Sequence, residues 1–200
     1  MLEFLSEDDV WLRAEVQERK LDRSAILVDF GDSNESKEIS KSLLDRGWTV
    51  VTVELRATGS MAPQKDRIGR APDHNSAQWS LFTGQTLLGQ WTWDLRQTIM
   101  ALGSHRVSLI ENILGGGVGP GGRVALSAAA VDPRIDAVVT VNALASFVSD
   151  VPYENQRLGM FVPGILRDVG DVAHLASLVA SKPLIVAGGV RGGGGLQVRL

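Results

Sequence analysis

Gly117-Val118-Gly119-Pro120-Gly121 has the spacing of a nucleophile elbow, Gly-x-Ser-x-Gly, with glycine where the hydroxyl would stand. It lies in the cluster Gly115-Gly116-Gly117-Val118-Gly119-Pro120-Gly121-Gly122, after an apolar run and before the small-residue segment from Arg123 to Ala130. Strand, sharp glycine turn and helix is the setting that holds such a side chain out for attack. Acyl transfer there needs a hydroxyl at the tip, a histidine to take its proton, and a backbone N–H just after it for the oxyanion. Gly119 has no side chain and Pro120 has no N–H. Two parts of that chemistry are absent at one turn. Loss of a single oxyanion donor alone typically costs about 10²–10³ in rate.

Other candidates are weaker. His74 sits in Pro72-Asp73-His74-Asn75, with Ser76 and Ser80 nearby. A displaced nucleophile, Ser76 or Ser80 beside His74, is conceivable chemistry, but no strained elbow marks either serine. Asp73 with His74 lacks a third metal ligand, so no metal is assigned. The bland reading of His74 is a loop-stabilising or solvent-facing residue. His105 reads as a surface connector and His174, near a helix start, as structural. Asp94 and Arg96 flank one helical turn, and a structural ion pair of Asp94 with Arg56 is the favoured reading. Trp79, Trp91 and Trp93 could line a sugar-binding face, with core packing and loop anchoring as the favoured alternative.

Gly117-x-Gly119-x-x-Gly122 also fits a dinucleotide fingerprint after a strand and before a helix. Three points weaken it. The motif lies on a late strand, Pro120 removes an amide that could bind phosphate, and the Val141-Asn142 region replaces the acid expected about 20 residues on. No cofactor is therefore assigned.

These residues must be positioned by regular elements. Val10 to Val16 alternates like a half-buried strand near a sheet edge. Ala25 to Phe30 is a near-continuous apolar run, the look of a buried parallel strand. Ser33 or Asn34 can cap a helix whose inner face is Ile39, Leu43 and Leu44 and which ends at Gly47. Trp48 to Leu55 is the next strand, and 56–83 reads as a long irregular loop. Leu88, Trp91, Leu95, Ile99 and Leu102 recur at helical spacing. A strand over 106–114 leads into the glycine cluster, and Asp132-Pro133 ends the helix after it. Asp136 to Val141 is a strand, 143–170 is irregular, Val172 to Val179 is helical and Pro183 to Ala187 is the last strand. Five apolar strands alternating with helices predict an α/β fold with a mostly parallel sheet and helices on both faces.

The bulk numbers agree with one folded domain over 1–200. The chain is 44% hydrophobic and 22% charged, which argues against disorder, and its net charge is −3 without a basic block. That gives no support for nucleic acid or an anionic membrane as partner. No apolar run approaches membrane-spanning length, and the acidic N-terminus is unlike a signal peptide. There are no cysteines, so disulfides and thiolate chemistry are excluded while the compartment stays open. The chain stops at Leu200, just after Gly192-Gly193-Gly194-Gly195, without a closing helix. It reads as truncated at its C-terminus, a fragment whose partner could be another domain of a longer chain.

Four segments give the chain a resemblance to the α/β-hydrolase superfamily, and within it to the acetylxylan-esterase-like and dienelactone/prolyl-peptidase-like branch. Arg56-Ala57-Thr58-Gly59 resembles the Arg-Gly-x-Gly turn after the second core strand, with Ala57 departing from it. Gly84 to Gly89 with Trp93-Asp94-Leu95-Arg96 resembles the helix before the elbow strand. Val124-Ala125-Leu126 with Asp132-Pro133-Arg134-Ile135 resembles the helix and strand start after the elbow. Leu178 to Val186 resembles the run into the strand that usually ends in the acidic triad member. The resemblance spans roughly residues 10–190. It implies the spatial order second, first, third, fourth, fifth for the core strands, and ester hydrolysis with acetylated carbohydrate as the substrate class. It also implies an acid after Ala187, where the chain reads Gly188-Gly189-Val190-Arg191-Gly192, and a histidine further on, beyond the last residue. The expectation is an esterase-like fold with a degenerate elbow, a pseudoenzyme lacking the Ser–His–acid mechanism. The alternative is a scaffold or a domain binding a partner or carbohydrate.

Overall fold

The computed structural model describes residues 1–19, 23–31, 33–104, 112–153 and 156–192. Its strands are β1 (Leu2–Glu7), β2 (Val10–Gln17), β3 (Arg23–Val28), β4 (Thr49–Glu54), β5 (Asn112–Val118), β6 (Ile135–Val141) and β7 (Leu184–Ala187). They form one sheet in the order β1-β2-β4-β3-β5-β6-β7. β1 and β2 form an antiparallel hairpin, β2 pairs antiparallel with β4, and β4, β3, β5, β6 and β7 run parallel. The parallel set has the spatial order that the resemblance implies, second, first, third, fourth and fifth core strand.

β1 is a strand that the sequence reading passed over. Leu2, Phe4 and Ser6 are buried while Glu3, Leu5 and Glu7 face out, the period-two pattern of a half-buried edge strand. The acidic run Glu7-Asp8-Asp9 belongs to the hairpin, with Asp9 at φ 64 in its turn.

The helices are α1 (Asn34–Asp45), α2 (His74–Phe82), α3 (Leu87–Ser104), α4 (Pro120–Val131), α5 (Ile165–Asp168) and α6 (Val172–Leu178). Ser33 caps α1, its hydroxyl accepting from the Ser36 N–H at 3.0 Å. Asp171 caps α6 in a capping box, in which the His174 ring accepts from the Asp171 N–H at 3.0 Å. His174 is therefore structural, as expected.

The 56–83 segment is not wholly irregular. It contains a 3-10 turn, Gly59–Met61, and the helix α2. α2 carries no apolar stripe, because Trp79 and Phe82 point to solvent while Ala77 and Ser80 are buried. Periodicity could not find it. Local bonds fix its start: the Asp66 carboxylate accepts from the Ser76 N–H and the Ser76 hydroxyl, both at 2.7 Å. The 143–170 segment likewise holds a 3-10 turn, Leu158–Met160, and the single turn α5.

The strand leading to the glycine cluster is also displaced from expectation. Residues 105–111 lie outside the described part, and β5 runs through Gly115, Gly116 and Gly117 themselves. Close packing explains this. A Cβ on Gly115 would press on Ile135, one on Gly116 would press on Leu27, and one on Gly117 would run into the backbone of Gly121 and Gly122. A Cβ on Gly121 would run into the Val28 carbonyl oxygen. α4 therefore lies directly on β5 and the end of β3, closer than side chains would permit.

Below this contact the core fills with apolar residues. Ile26, Val28, Val51, Val53, Leu55, Trp91, Leu95, Val124, Ala125 and Ala128 are all buried. Each large side chain among them contributes about 1.5–3 kcal/mol by leaving water. At the opposite end of the sheet from the glycine turn, Asp132 gathers three elements. It accepts from Arg134 at 2.6 and 2.9 Å and from Arg96 of α3 at 3.0 Å, while Lys182 donates to the Asp132 and Ala129 carbonyls at 2.8 Å each.

Substitutions at two glycines and at Asp132 test this arrangement. Gly121→Ala forces a methyl group against a carbonyl oxygen and lowers the unfolding free energy in urea by about 3 kcal/mol, the upper end of usual overpacking costs. Gly103→Ala, in α3 with open space at its Cβ, raises it by up to about 1 kcal/mol. The Arg134 hydrogen bond, opposed by burial and supported by the Arg96 hydrogen bond, holds the Asp132 carboxyl well below the usual carboxylate range. Its contribution is complete above the unfolded value of about 4 and is lost as pH falls below it. Asp132→Asn therefore makes stability less dependent on pH between about 4 and about 2, as read by urea denaturation at a series of pH values.

Candidate functional site

From β3 the chain crosses to β4 on one side; from β5 it crosses to β6 on the other. The carboxyl ends of β3 and β5 thus border a crevice at the point where the winding reverses. In open α/β sheets that is where ligands bind. Phe30 and Gly31 stand on the β3 side and Gly119 on the β5 side.

Gly119 is the single residue between β5 and α4, at φ 54 and ψ −120. Side-chain-bearing residues rarely adopt this conformation. Its N–H donates to the Val141 carbonyl at 2.7 Å, which ties the turn to the end of β6. No heavy atom lies within 4 Å of the place a Cβ would take, so the tip of the turn is open. Pro120 occupies the first position of α4, where its missing N–H costs the helix nothing. Gly117 and Gly122 of the dinucleotide-like spacing touch each other across the strand–helix junction: a Cβ on Gly122 would meet the Gly117 carbonyl at 2.8 Å. Their spacing is accounted for by packing.

Across the crevice, Phe30 packs edge-on against Trp91 at 4.8 Å between ring centres. Arg157 lies over the other aromatic surface of Phe30 at 4.8 Å and donates to its carbonyl at 3.2 Å. Burial pulls the Arg157 guanidinium below its usual range, against the charges of Asp73 and Asp66. The N–H of Gly31 is already given to the Asp29 carboxylate at 3.1 Å. A polar cleft of about 450 Å³ opens beside it between Asp29, Gly31, Glu54 and Ser60.

Asp73 is fully buried, and its two oxygens accept from the N–H groups of Leu158 and Gly159 at 2.7 and 2.9 Å. Burial raises its carboxyl above the ordinary value despite these bonds. It staples the two long connections, 56–83 and 143–170, to each other. His74 is the first residue of α2, and its Nδ1 lies 3.3 Å from the Asn75 side-chain oxygen. The Ser76 hydroxyl donates to Asp66, and that of Ser80 to the Ser76 carbonyl and the Gln90 side chain at 2.8 and 2.9 Å. No hydrogen bond joins His74 to either serine. Among the described residues no group of three His, Asp or Glu could hold a metal ion. His105 lies outside them.

The Asp94–Arg56 pair is present as the sequence suggested. Asp94, fully buried, accepts from the Arg56 Nε, Nη2 and backbone N–H at 2.9, 2.5 and 3.1 Å and from the Ser6 hydroxyl at 2.6 Å. Glu7 also pairs with Arg56. The three tryptophans divide. Trp91 is core and donates from Nε1 to the Arg56 carbonyl at 2.9 Å, whereas Trp79 and Trp93 are exposed.

Sequence reasoning missed Arg123. It is 1% exposed, in the first turns of α4, and none of its guanidinium nitrogens has a hydrogen-bond partner. Its plane lies over Phe147 at 4.4 Å. Burial pushes its pKa down to about 10, against the attraction of Asp171. The signal was a lone arginine within Gly-Gly-Arg-Val-Ala-Leu, a run otherwise small and apolar.

This strand order and crossover pattern recur in solved structures. A proposed acetyl xylan esterase from Bacteroides fragilis superposes with a TM-score of 0.70 at 14% identity, over 94% of this chain and 58% of that one. The chain has the α/β-hydrolase fold. The same fold joins it to a glucuronoyl esterase of carbohydrate esterase family 15 from Caldicellulosiruptor kristjansonii, with a TM-score of 0.59 at 15% identity over 90% of this chain and 57% of that one. A third α/β-hydrolase match is Est1E from Butyrivibrio proteoclasticus, solved with ferulic acid, with a TM-score of 0.56 at 12% identity over 93% and 77% of the two chains. No protein-family model matches the chain, and no curated protein matches it by sequence. The chain thus spans 58% of the length of the Bacteroides protein, and its fold is one used by carboxylic ester hydrolases.

Within this α/β-hydrolase fold Arg123 is a buried cation without hydrogen bonds, an arrangement that costs stability. Arg123→Met keeps the volume and removes the charge. The variant is expected to be more stable by about 1 kcal/mol or more, measured as the shift in urea midpoint at constant slope.

Proposed function

We propose that this chain is a carboxylic-ester-hydrolase-type domain in which the elbow does not carry out nucleophilic catalysis, and whose role at the switch-point crevice is to bind acetylated carbohydrate. The observation that carries the reading is the turn at Gly119. It has the strand–turn–helix setting and positive φ of a nucleophile elbow, yet it offers neither a hydroxyl nor, at Pro120, an oxyanion donor. The run Gly188 to Gly192 after β7 adds no carboxylate. The substrate class is supported by the neighbours named for acetyl xylan and glucuronoyl esters. Fold likeness alone does not establish activity, so the assignment rests on the turn.

The test is covalent labelling with a fluorophosphonate probe beside turnover of p-nitrophenyl acetate. The wild-type chain is expected to remain unlabelled and to hydrolyse the ester no faster than its heat-denatured control. Labelling that one serine substitution abolishes overturns the reading. Gly119→Ser has room for its side chain but places a serine at positive φ, which costs about 1–3 kcal/mol. The variant is expected to fold, with a lower Tm, and still to resist the probe, because Pro120 supplies no oxyanion donor and the described histidines, His74 and His174, are engaged elsewhere.

A further inference from the structure

A second surface, between the end of β1 and the start of α3, shares no lining residue with the Gly119 crevice and has the chemistry of a saccharide site. A groove of about 410 Å³ is lined by Glu7, Gln85, Thr86, Gly89, Gln90 and Trp93. We propose that this groove binds a neutral pyranose unit of a polysaccharide chain, with the Trp93 indole as its stacking platform.

The indole is held ready. Its Nε1 donates to the Ser6 carbonyl at 3.1 Å, and the Arg96 guanidinium lies over the ring at 5.7 Å, itself held by Asp132. Yet Trp93 stays 42% exposed. Gly89 is the reason. Helical side chains lie over the turn N-terminal to their own Cα, so the residue four positions earlier normally covers such a ring. Gly89 has no side chain to do so, and near its Cβ position only the Thr86 hydroxyl stands, at 2.9 Å. A glycine within the first turns of a long helix weakens that helix, and here it leaves an aromatic face bare.

The lining surface is mostly apolar, with a few fixed polar groups along its edge. Gln90 donates from Nε2 to the Gln85 Oε1 at 2.5 Å and accepts from the Ser80 hydroxyl at 2.9 Å, which fixes both amides. The Gln85 amide N–H groups and the Thr86 hydroxyl hydrogen remain available to a ligand, as does the Glu7 carboxylate oxygen that Arg56 does not hold. A flat indole suits the C–H face of a pyranose, and fixed amides beside a carboxylate suit its vicinal hydroxyls. Glu7 is the one charged side chain lining the groove, and its pairing with Arg56 leaves no net charge there for a strongly charged ligand.

Xylohexaose, with cellohexaose as a second probe, titrated into the whole chain by calorimetry tests this. Wild-type protein is expected to bind at least one of them. Trp93→Ala and Gly89→Gln, the latter laying a side chain over the ring, are each expected to weaken binding about tenfold. A side chain at 89 requires the Thr86 hydroxyl, 2.9 Å from the added Cβ, to shift, so circular dichroism and Tm are read on both variants, and loss of binding by a protein that is still folded cannot be attributed to unfolding. Binding that both variants leave unchanged overturns the proposal, as does absence of binding by the wild type to either sugar. The readout is independent of the elbow: fluorophosphonate labelling bears on Gly119 alone, and sugar binding unaffected at Trp93 bears on the groove alone.

Discussion

The close approach of α4 to the sheet is the constraint on which the rest of the structure depends. At Gly117 and Gly121 the helix and strands touch backbone to backbone, with no space for a single methyl group. That contact sets the height of α4 over β3 and β5. It forces the chain to reverse direction within one residue, Gly119, and so determines where the crevice at the switch point opens. Ordinary helix–sheet packing through large side chains would hold the helix further out and allow a longer, looser connection. The small residues along α4 (Val124, Ala125, Ala128 and Ala129, all buried) continue the same demand down the helix. Substrate-sized ligands would meet a backbone turn here, with the side chains set back from it.

Buried charge organises the remaining connections, and its partners decide whether it helps. Asp94 locks α3 to the end of β4 and to β1 through Arg56 and Ser6. Asp73 joins two long segments that share no strand, through two backbone N–H groups. Asp132 joins α3, α4 and the approach to β6. In each case the carboxylate has several donors at hydrogen-bond distance, which offsets the cost of leaving water. Arg123 is the contrast. It is as deeply buried but has only an aromatic face and the field of Asp171 for company. A cation–π contact of about 2 kcal/mol does not replace several charge-assisted hydrogen bonds.

Legibility in the sequence followed the strength of the local pattern. Ala25 to Val28 announces a buried parallel strand because both faces are covered and no polar residue interrupts it, and Val138 to Val141 does so with Thr140 alone among its valines. α1 and α3 were readable because a cap or a full apolar stripe marks them. β1 carries a readable alternation, but the acidic run at its end let the segment be read only as unlike a signal peptide. α2 carries no pattern at all. Its position comes from Asp66, whose partner Ser76 is 10 residues on but marks no period, and from Asp73, whose partners lie 85 and 86 residues away, beyond any window of sequence. The extent of β5 was misjudged for a related reason. Three consecutive glycines read locally as a turn, and only contact with α4 and β6 makes them strand. At the candidate site, the composition of the turn was readable, while the Phe30–Trp91–Arg157 cluster facing it depends on tertiary contacts.

The turn itself separates geometry from chemistry. Its conformation is dictated by the glycine contact beneath it and by the bond from the Gly119 N–H to Val141, and neither involves a side chain at position 119. Any residue placed there inherits a positive φ. A serine would be held in a strained conformation, a cost that catalysis can justify because the strain presents the hydroxyl. Glycine adopts the same angles without steric penalty. If catalysis ceases to be required, glycine at this position makes the fold more stable, and proline next to it stiffens the first turn of α4 at no loss of hydrogen bonding. Gly119-Pro120 is therefore the pair that stability alone would choose for this turn. The Phe30, Arg157 and Gly31 side of the crevice is held by its own contacts, Phe30 on Trp91, Arg157 on Phe30 and the Gly31 N–H on Asp29, none of which involves residue 119.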